Sequence, residues 1–361
     1  MAASEVTTQR PPSEAPPVNS VGVMGWVREN LFSSISNTIL TILSAALLYA
    51  LLRRLITFVF FEADWRVITQ NLVLFAIGQY PRLQAWRPAA SLGLVVVLGG
   101  LSLIFWKRSR VMRRILMGLW FLSPIIIVVL LTGFRGSSVL PFVRTQLWSG
   151  LLLTIMLTVV GIVASFPLGV LLALGRRGDM VIIRILSTIY IEVIRGVPLI
   201  SILFMAQVLL PLFVGRQNLD VVLRAMAGIT LFSAAYLAEI VRGGLQAIPK
   251  GQVEAAQALG LSAPLVTGLI VLPQAIRIVI PAIVGQFISL FKDTTLVSII
   301  TLLDLLGISE AALAQDPAFQ SHKIEVYLFL AAIYFAFSYI MSSAARRIEE
   351  TTSAMGGTRR L

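Results

Sequence analysis

The chain has 361 residues, 57% of them hydrophobic and 13% charged, with a mean hydropathy of +0.90 and a formal charge of +12. A soluble domain of this length carries roughly a quarter charged residues, so that class is excluded, and continuous rather than alternating apolar runs argue against a membrane β-barrel. The absence of cysteine excludes disulfide frameworks, thiolate metal sites and cysteine nucleophiles.

The expected fold is all-α, a polytopic transmembrane helical bundle of about eight spans. Residues 1–30 read as a disordered cytoplasmic tail: Pro11-Pro12 and Pro16-Pro17 lie among Ser and Thr with few bulky apolar residues. No secretory signal pattern is present there. The first span is predicted over 35–61, with Arg53-Arg54 awkwardly inside the apolar run near its outer half. Residues 62–88 mix Glu62, Asp64, Arg66, Arg82 and Arg87 with Trp65, Leu72, Phe75 and Trp86, as an amphipathic element on the outer surface would.

Spans two and three, at 90–106 and 115–133, complete an amino-terminal transmembrane extension over 31–135. Between them Lys107-Arg108-Ser109-Arg110 and Arg113-Arg114 form the basic signature of a short cytoplasmic loop. That reading accounts for the positive charge without nucleic acid. Spans four to eight follow at 147–174, 186–214, 222–244, 274–306 and 324–345, within a core over 146–345 and before a cytoplasmic tail at 346–361. Placing 107–114, 175–184, 242–273 and 346–361 inside satisfies the positive-inside rule four times. Pro198 and Pro281 predict kinks, and His322, beside Lys323, reads as a solvated residue.

The segment 245–273 is a polar break between two long apolar runs. Pro249 suits a first helical turn, Gln252 to Leu259 are good helix formers, and Gly260 supplies a helix stop. Ser262 is a candidate cap for a second short helix, with Pro273 past its end. Ala255 and Ala256, expected on the exposed side, would let another surface approach the backbone, while Glu254 favours the positive end of the helix dipole. Spacing alone leaves two readings open: a docking surface, or an amphipathic helix lying on the membrane.

Glu254-Ala255-Ala256, three residues, Gly260, nine residues, Ile270, one residue and Leu272-Pro273 resemble the EAA loop of ABC-importer permeases. Three more phrases resemble the polar amino-acid uptake permeases across 146–345: Ile191 to Pro198, Ala238 to Gly244, and Phe291 to Leu296. The extra amino-terminal helices resemble the longer permease subunits of bacterial general L-amino-acid transporters. The resemblance implies a multi-pass protein of the bacterial inner membrane, half of the translocation path of an ATP-driven importer for L-amino acids. It implies ATPase coupling through Glu254, Ala255, Ala256, Leu259 and Gly260. The implied partners are ABC ATPase subunits, a second related permease and a periplasmic amino-acid-binding protein. No G-x-x-x-x-G-K-[ST] motif occurs in the chain. ATP and Mg are therefore expected on the partner ATPase, with no cofactor and no enzymatic activity in this chain.

Ionisable groups within spans are expensive and need a purpose. Glu192 with Arg195, and Glu239 with Arg242, are spaced i,i+3, so each pair is expected to close within its own helix near the cytoplasmic end. Lys292 and Asp293 are expected deep within the seventh apolar run. Gln286, Ser289 and Asp293 at i, i+3 and i+7 share one helical stripe, which should face a cavity, and Thr294-Thr295 mark a possible helix break lining it. Asp293 would pair with the ammonium of an amino acid, and a neutral Gln286 would suit a broad substrate range. The other reading of Lys292 and Asp293 is a network that organises packing.

Two rival functions fare worse. An ion-coupled secondary amino-acid carrier would need inverted repeats, and only the Glu-x-x-Arg-Gly echo at 192–196 and 239–243 is present. A membrane enzyme would need a Ser–His–Asp constellation, an H-E-x-x-H motif or a cluster of metal ligands.

Overall fold

The computed structural model describes residues 22–105, 108–214 and 220–356, and residues 1–64 and 65–361 form two compact units. In the first unit the expected tail contains a helix, α1 (Val23–Leu31), while positions 1–21 lie outside the described residues. The span α2 (Ile35–Thr57) starts at Ser34, whose hydroxyl accepts the Asn37 N–H at 3.2 Å. It runs on through one wide π turn, Phe58–Glu62. That turn brings Glu62 to 2.5 Å from Arg54, so one member of the awkward arginine pair has its counter-ion on its own helix.

The second unit is built on α6 (Gly150–Arg177) and α9 (Val221–Gln246), which pack along most of their length. Gly169 allows the close crossing: a Cβ there would lie 2.7 Å from Leu237 Cβ and 3.1 Å from the Ala234 carbonyl. Hydrocarbon outside offers no hydrophobic drive between helices, so such close backbone approach is how they hold together. Helix α12 (Leu272–Asp293) lies against α9, and α14 (Lys323–Gly356) against α12. Because α14 runs to Gly356, the expected cytoplasmic tail begins inside a helix.

Helices α3 (Arg66–Ile77), α4 (Trp86–Phe105) and α5 (Arg110–Thr132) complete the amino-terminal part of this unit. The expected surface element over 62–88 turns one side into the protein, while Leu72, Leu83 and Trp86 stay exposed. Val67, Ile68 and Phe75 of α3 are buried with Leu305, Ile308, Val326 and Leu330. Arg87 is fully buried, and its Nη1 donates to the Pro141 carbonyl at 2.9 Å. Tyr80 is also buried and donates to the Leu131 carbonyl at 2.8 Å. One side of this stretch fits a groove of the core; Tyr80 and one Arg87 nitrogen find carbonyls, whereas Arg87 Nε and Nη2 and Gln84 Oε1 are buried without a hydrogen bond.

Two further expectations change. The fifth span is a broken pair, α7 (Val181–Gly196) and α8 (Leu199–Val214), bent by 112°. Pro198 forces the residue before it out of helical space, and Val197 takes φ −109°, ψ 136°. Pro281, by contrast, stays inside α12. The seventh span starts and ends earlier than expected, over Ala263–Ile300: α12 closes at Asp293 into a 3-10 turn, Thr294–Ile300, after which Thr301 is left-handed at φ 70°. A separate helix follows, α13 (Leu305–Gln315). Among the described residues seven helices are long and apolar enough to cross a membrane, or eight if the α7–α8 pair counts as one span.

Candidate functional site

The polar break folds as α10 (Lys250–Ala258) with Pro249 at its N-cap. Gly260, at φ +80°, donates to the Gln257 carbonyl at 2.9 Å, and Leu261 N–H reaches back to the Ala256 carbonyl at 3.2 Å. This is a Schellman ending, which needs the left-handed residue that glycine supplies. Nothing lies within 4 Å of a Cβ placed on Gly260, so only backbone conformation selects glycine there.

Glu254, Ala255 and Leu259 point outward, and Leu259 is 83% exposed. Ala256 does not join them. It is buried with Val241, Leu245, Val266, Val271 and Ala275, because it lies three residues after the half-buried Val253 on the inner face of α10. The two alanines therefore divide the work: Ala256 seats α10 on the bundle and Ala255 leaves its outer face flat.

The expected second short helix is not separate from the next span. Helix α11 (Ala263–Leu265), a π turn over Val266–Val271 and α12 form one rod through Pro273. Proline has no N–H, and its ring would clash with the carbonyl four residues back. The wide turn relieves this, with the Leu272 N–H donating to the Thr267 carbonyl five residues back.

At the nearby ends of α6, α7 and α9 the charges form a network between helices. Glu239 is its centre. Arg242 Nε donates to both Glu239 oxygens at 2.9 and 3.0 Å, Arg176 reaches Glu239 at 3.2 Å, and Arg195 stands at 3.9 Å. The expected Glu239–Arg242 pair forms; the Glu192–Arg195 pair does not. Glu192 reaches across to Arg176 at 2.8 Å instead. The missing piece was Arg176, which the sequence offers only as part of a basic turn, and its planar guanidinium can bridge two carboxylates.

The stripe on α12 is open on this chain. Gln286 and Asp293 are half-buried and Ser289 is exposed. Asp293 is the last residue of α12, seven residues before the end of that apolar rod, and Lys292 beside it is exposed. Thr294 leaves the stripe: it is fully buried and its hydroxyl donates to the Phe291 carbonyl at 2.7 Å. His322 is paired with the buried Glu325, Nδ1 to Oε1 at 3.0 Å.

One group was not singled out in the sequence. Asp304 is completely buried at the start of α13, where its Oδ1 accepts the Gly307 N–H at 2.9 Å. Its Oδ2 and the Tyr334 hydroxyl are buried without hydrogen bonds. Burial pushes the carboxyl up to about 6. Around it Leu305 N–H donates to Thr154 Oγ1 at 3.0 Å and Gly150 N–H to the Leu303 carbonyl at 2.8 Å. The Asp-x-x-Gly spacing before an apolar helix was the available signal.

Residues 165–353 match the family of binding-protein-dependent transport system inner membrane components. The inner membrane amino-acid ABC transporter permease protein YhdY of Escherichia coli is 42% identical over 96% of this chain and 97% of its own length. The glutamate/glutamine/aspartate/asparagine transport system permease protein BztC of Rhodobacter capsulatus is 34% identical over 92% and 94% respectively. Among solved structures, an amino acid ABC transporter with histidines is 32% identical and covers 56% of this chain and 92% of its own, with a TM-score of 0.49.

Proposed function

Because the chain belongs to the family of binding-protein-dependent transport system inner membrane components, we propose that it is a permease subunit of an ATP-driven importer of L-amino acids. Full-length similarity to permeases named for amino-acid transport supports the substrate class. In this reading the chain forms half of the translocation path, a second related permease supplies the other half, and a periplasmic amino-acid-binding protein delivers substrate. ATP and Mg are bound by separate ATPase subunits.

The observation that carries the docking role is the outward face of α10. An 83% exposed Leu259 beside Glu254 and Ala255 gives an apolar anchor, a charge and a flat approach on a short helix held from behind by Ala256. Such a helix fits a groove on a partner. The half-buried Gln286 and Asp293 lie on a flank of α12 beside its buried Ile283 and Leu290, where a paired permease would enclose them, and Asp293 would there meet the substrate ammonium. ATP-driven closure of the ATPases would move α10 and rock the helices attached to it.

The chain contains no cysteine, so Ala255→Cys gives a single reactive thiol. With the whole complex assembled, this thiol should crosslink to the ATPase in a nucleotide-dependent manner. Crosslinking to lipid alone, or to no partner at any nucleotide state, would refute docking through α10.

A further inference from the structure

Behind the coupling helix lies a basic cavity that neither the docking face nor the polar stripe uses. Arg176, Arg177, Arg242 and Lys250, with Gln246 and Ile248, line a space of about 480 Å³ open on one side, and no carboxylate is among the lining residues. The nearby network places Glu192 and Glu239 against Arg176, Arg195 and Arg242. Arg177 gives one N–H to the Leu245 carbonyl at 2.9 Å. Five cations against two carboxylates leave the site strongly positive. Arg177, Gln246 and Lys250 are exposed there, so this is a water-accessible basic recess in which a phosphate would gain charge-assisted hydrogen bonds.

A second observation says which anion. Leu172 lies one turn before Arg176 on α6, about 6 Å along the axis. It lines a shallow apolar groove of about 510 Å³, open outward, with Leu186, Ile189, Tyr190, Val193 and Ile194 of α7. Free phosphate would use only the basic space. A molecule with a phosphodiester at one end and hydrocarbon at the other uses both. Arginine forks match phosphate oxygens, and basic pockets between helix ends on the cytoplasmic side recognise acidic lipid headgroups.

We propose that an anionic phospholipid occupies this place, its phosphate between Arg177 and Lys250 and its acyl chain lying along the outward-open groove between α6 and α7. Lys250 is the first residue of α10, so the headgroup ties the root of the coupling helix to the ends of α6 and α9. The inference rests on the importer reading only for which leaflet faces the site.

Native mass spectrometry of the detergent-purified, delipidated full chain tests this. Phosphatidylglycerol and phosphatidylcholine of identical acyl chains are the probes, with inorganic phosphate as a third. The double variant Arg177→Gln/Lys250→Gln leaves the ion-pair network intact, Arg346→Gln serves as a distant basic control, and thermal melting confirms folding. Wild type and control should prefer phosphatidylglycerol about tenfold or more; the double variant should lose that preference, and Ile189→Trp should weaken retention of the same lipid. An unchanged preference in the double variant overturns the proposal. So does full displacement of the lipid by millimolar phosphate, which would make this a free-anion site. Loss of ATPase capture with lipid retention unchanged also overturns it and gives the cavity to a protein partner. Because lipid binding is read without transport, amino-acid uptake can fail or succeed independently.

Discussion

Asp304 shows how much one side chain can hold. A carboxyl with an ordinary value near 3.9 that sits at about 6 in the fold binds its proton more tightly folded than unfolded. Its stabilising contribution is therefore whole below about pH 4 and is lost as the pH rises through about 6. The span of the shift corresponds to on the order of 2–3 kcal/mol. Wild-type thermal stability should fall between pH 4.5 and 7, while Asp304→Asn, which keeps an acceptor for the Gly307 N–H, should flatten that slope. Melting curves across the window decide it, and a variant curve parallel to wild type would refute the assignment. Nothing in the local sequence announces this behaviour. It arises where α6, α13 and α14 meet, and the surroundings contributed by α6 and α14, Thr154 and Tyr334, lie 150 and 30 positions away.

At the scale of elements, local chemistry was readable and long-range packing was not. Gly260 as a helix stop follows from its place after a run of helix formers, and the left-handed φ of +80° bears this out. Gly260→Ala should cost about 1–2 kcal/mol of local conformational energy with no steric clash. In proteoliposomes of the full complex, uptake per ATP hydrolysed should drop although the protein inserts normally. Gly260→Asn, which tolerates the same region, should recover part of it; equal coupling in all three proteins would sink the claim. The inward turn of Ala256 was not legible, because it depends on α9 and α12 supplying the surface that covers it. Gly169 likewise looks ordinary in an apolar run, yet it sets the distance between α6 and α9. Gly169→Val should destabilise the bundle by about 1–3 kcal/mol in chemical denaturation, whereas Gly99→Val in α4, which meets nothing within 4 Å, should change little.

For the whole molecule, span count and class were legible because hydrocarbon thickness dictates the length of apolar runs. Which charges meet was not, since an i,i+3 spacing permits a pair but cannot forbid a better partner on another helix, as Arg176 is for Glu192. The partly exposed stripe carrying Gln286, Ser289 and Asp293 is the surface that the proposed second permease would cover. Asp293→Asn should shift the relative uptake of different amino acids, read by competition in vesicles, with the complex still assembling. Failed assembly with unchanged preference would assign Asp293 to packing instead.

The unbroken rod from Ala263 to Ile300 has a mechanical meaning. Its stretch from Ala263 to Asp293 is about 45 Å long at the usual helical rise, and the π turn at Val266–Val271 lets it pass Pro273 without a joint. A rod of that length acts as a lever arm. Tilting the Ser262 end by about 10° displaces the Asp293 end by roughly 8 Å on that geometry. In the proposed importer, a tilt imposed at the Ser262 end would be carried to the Asp293 end with no flexible link to absorb the work.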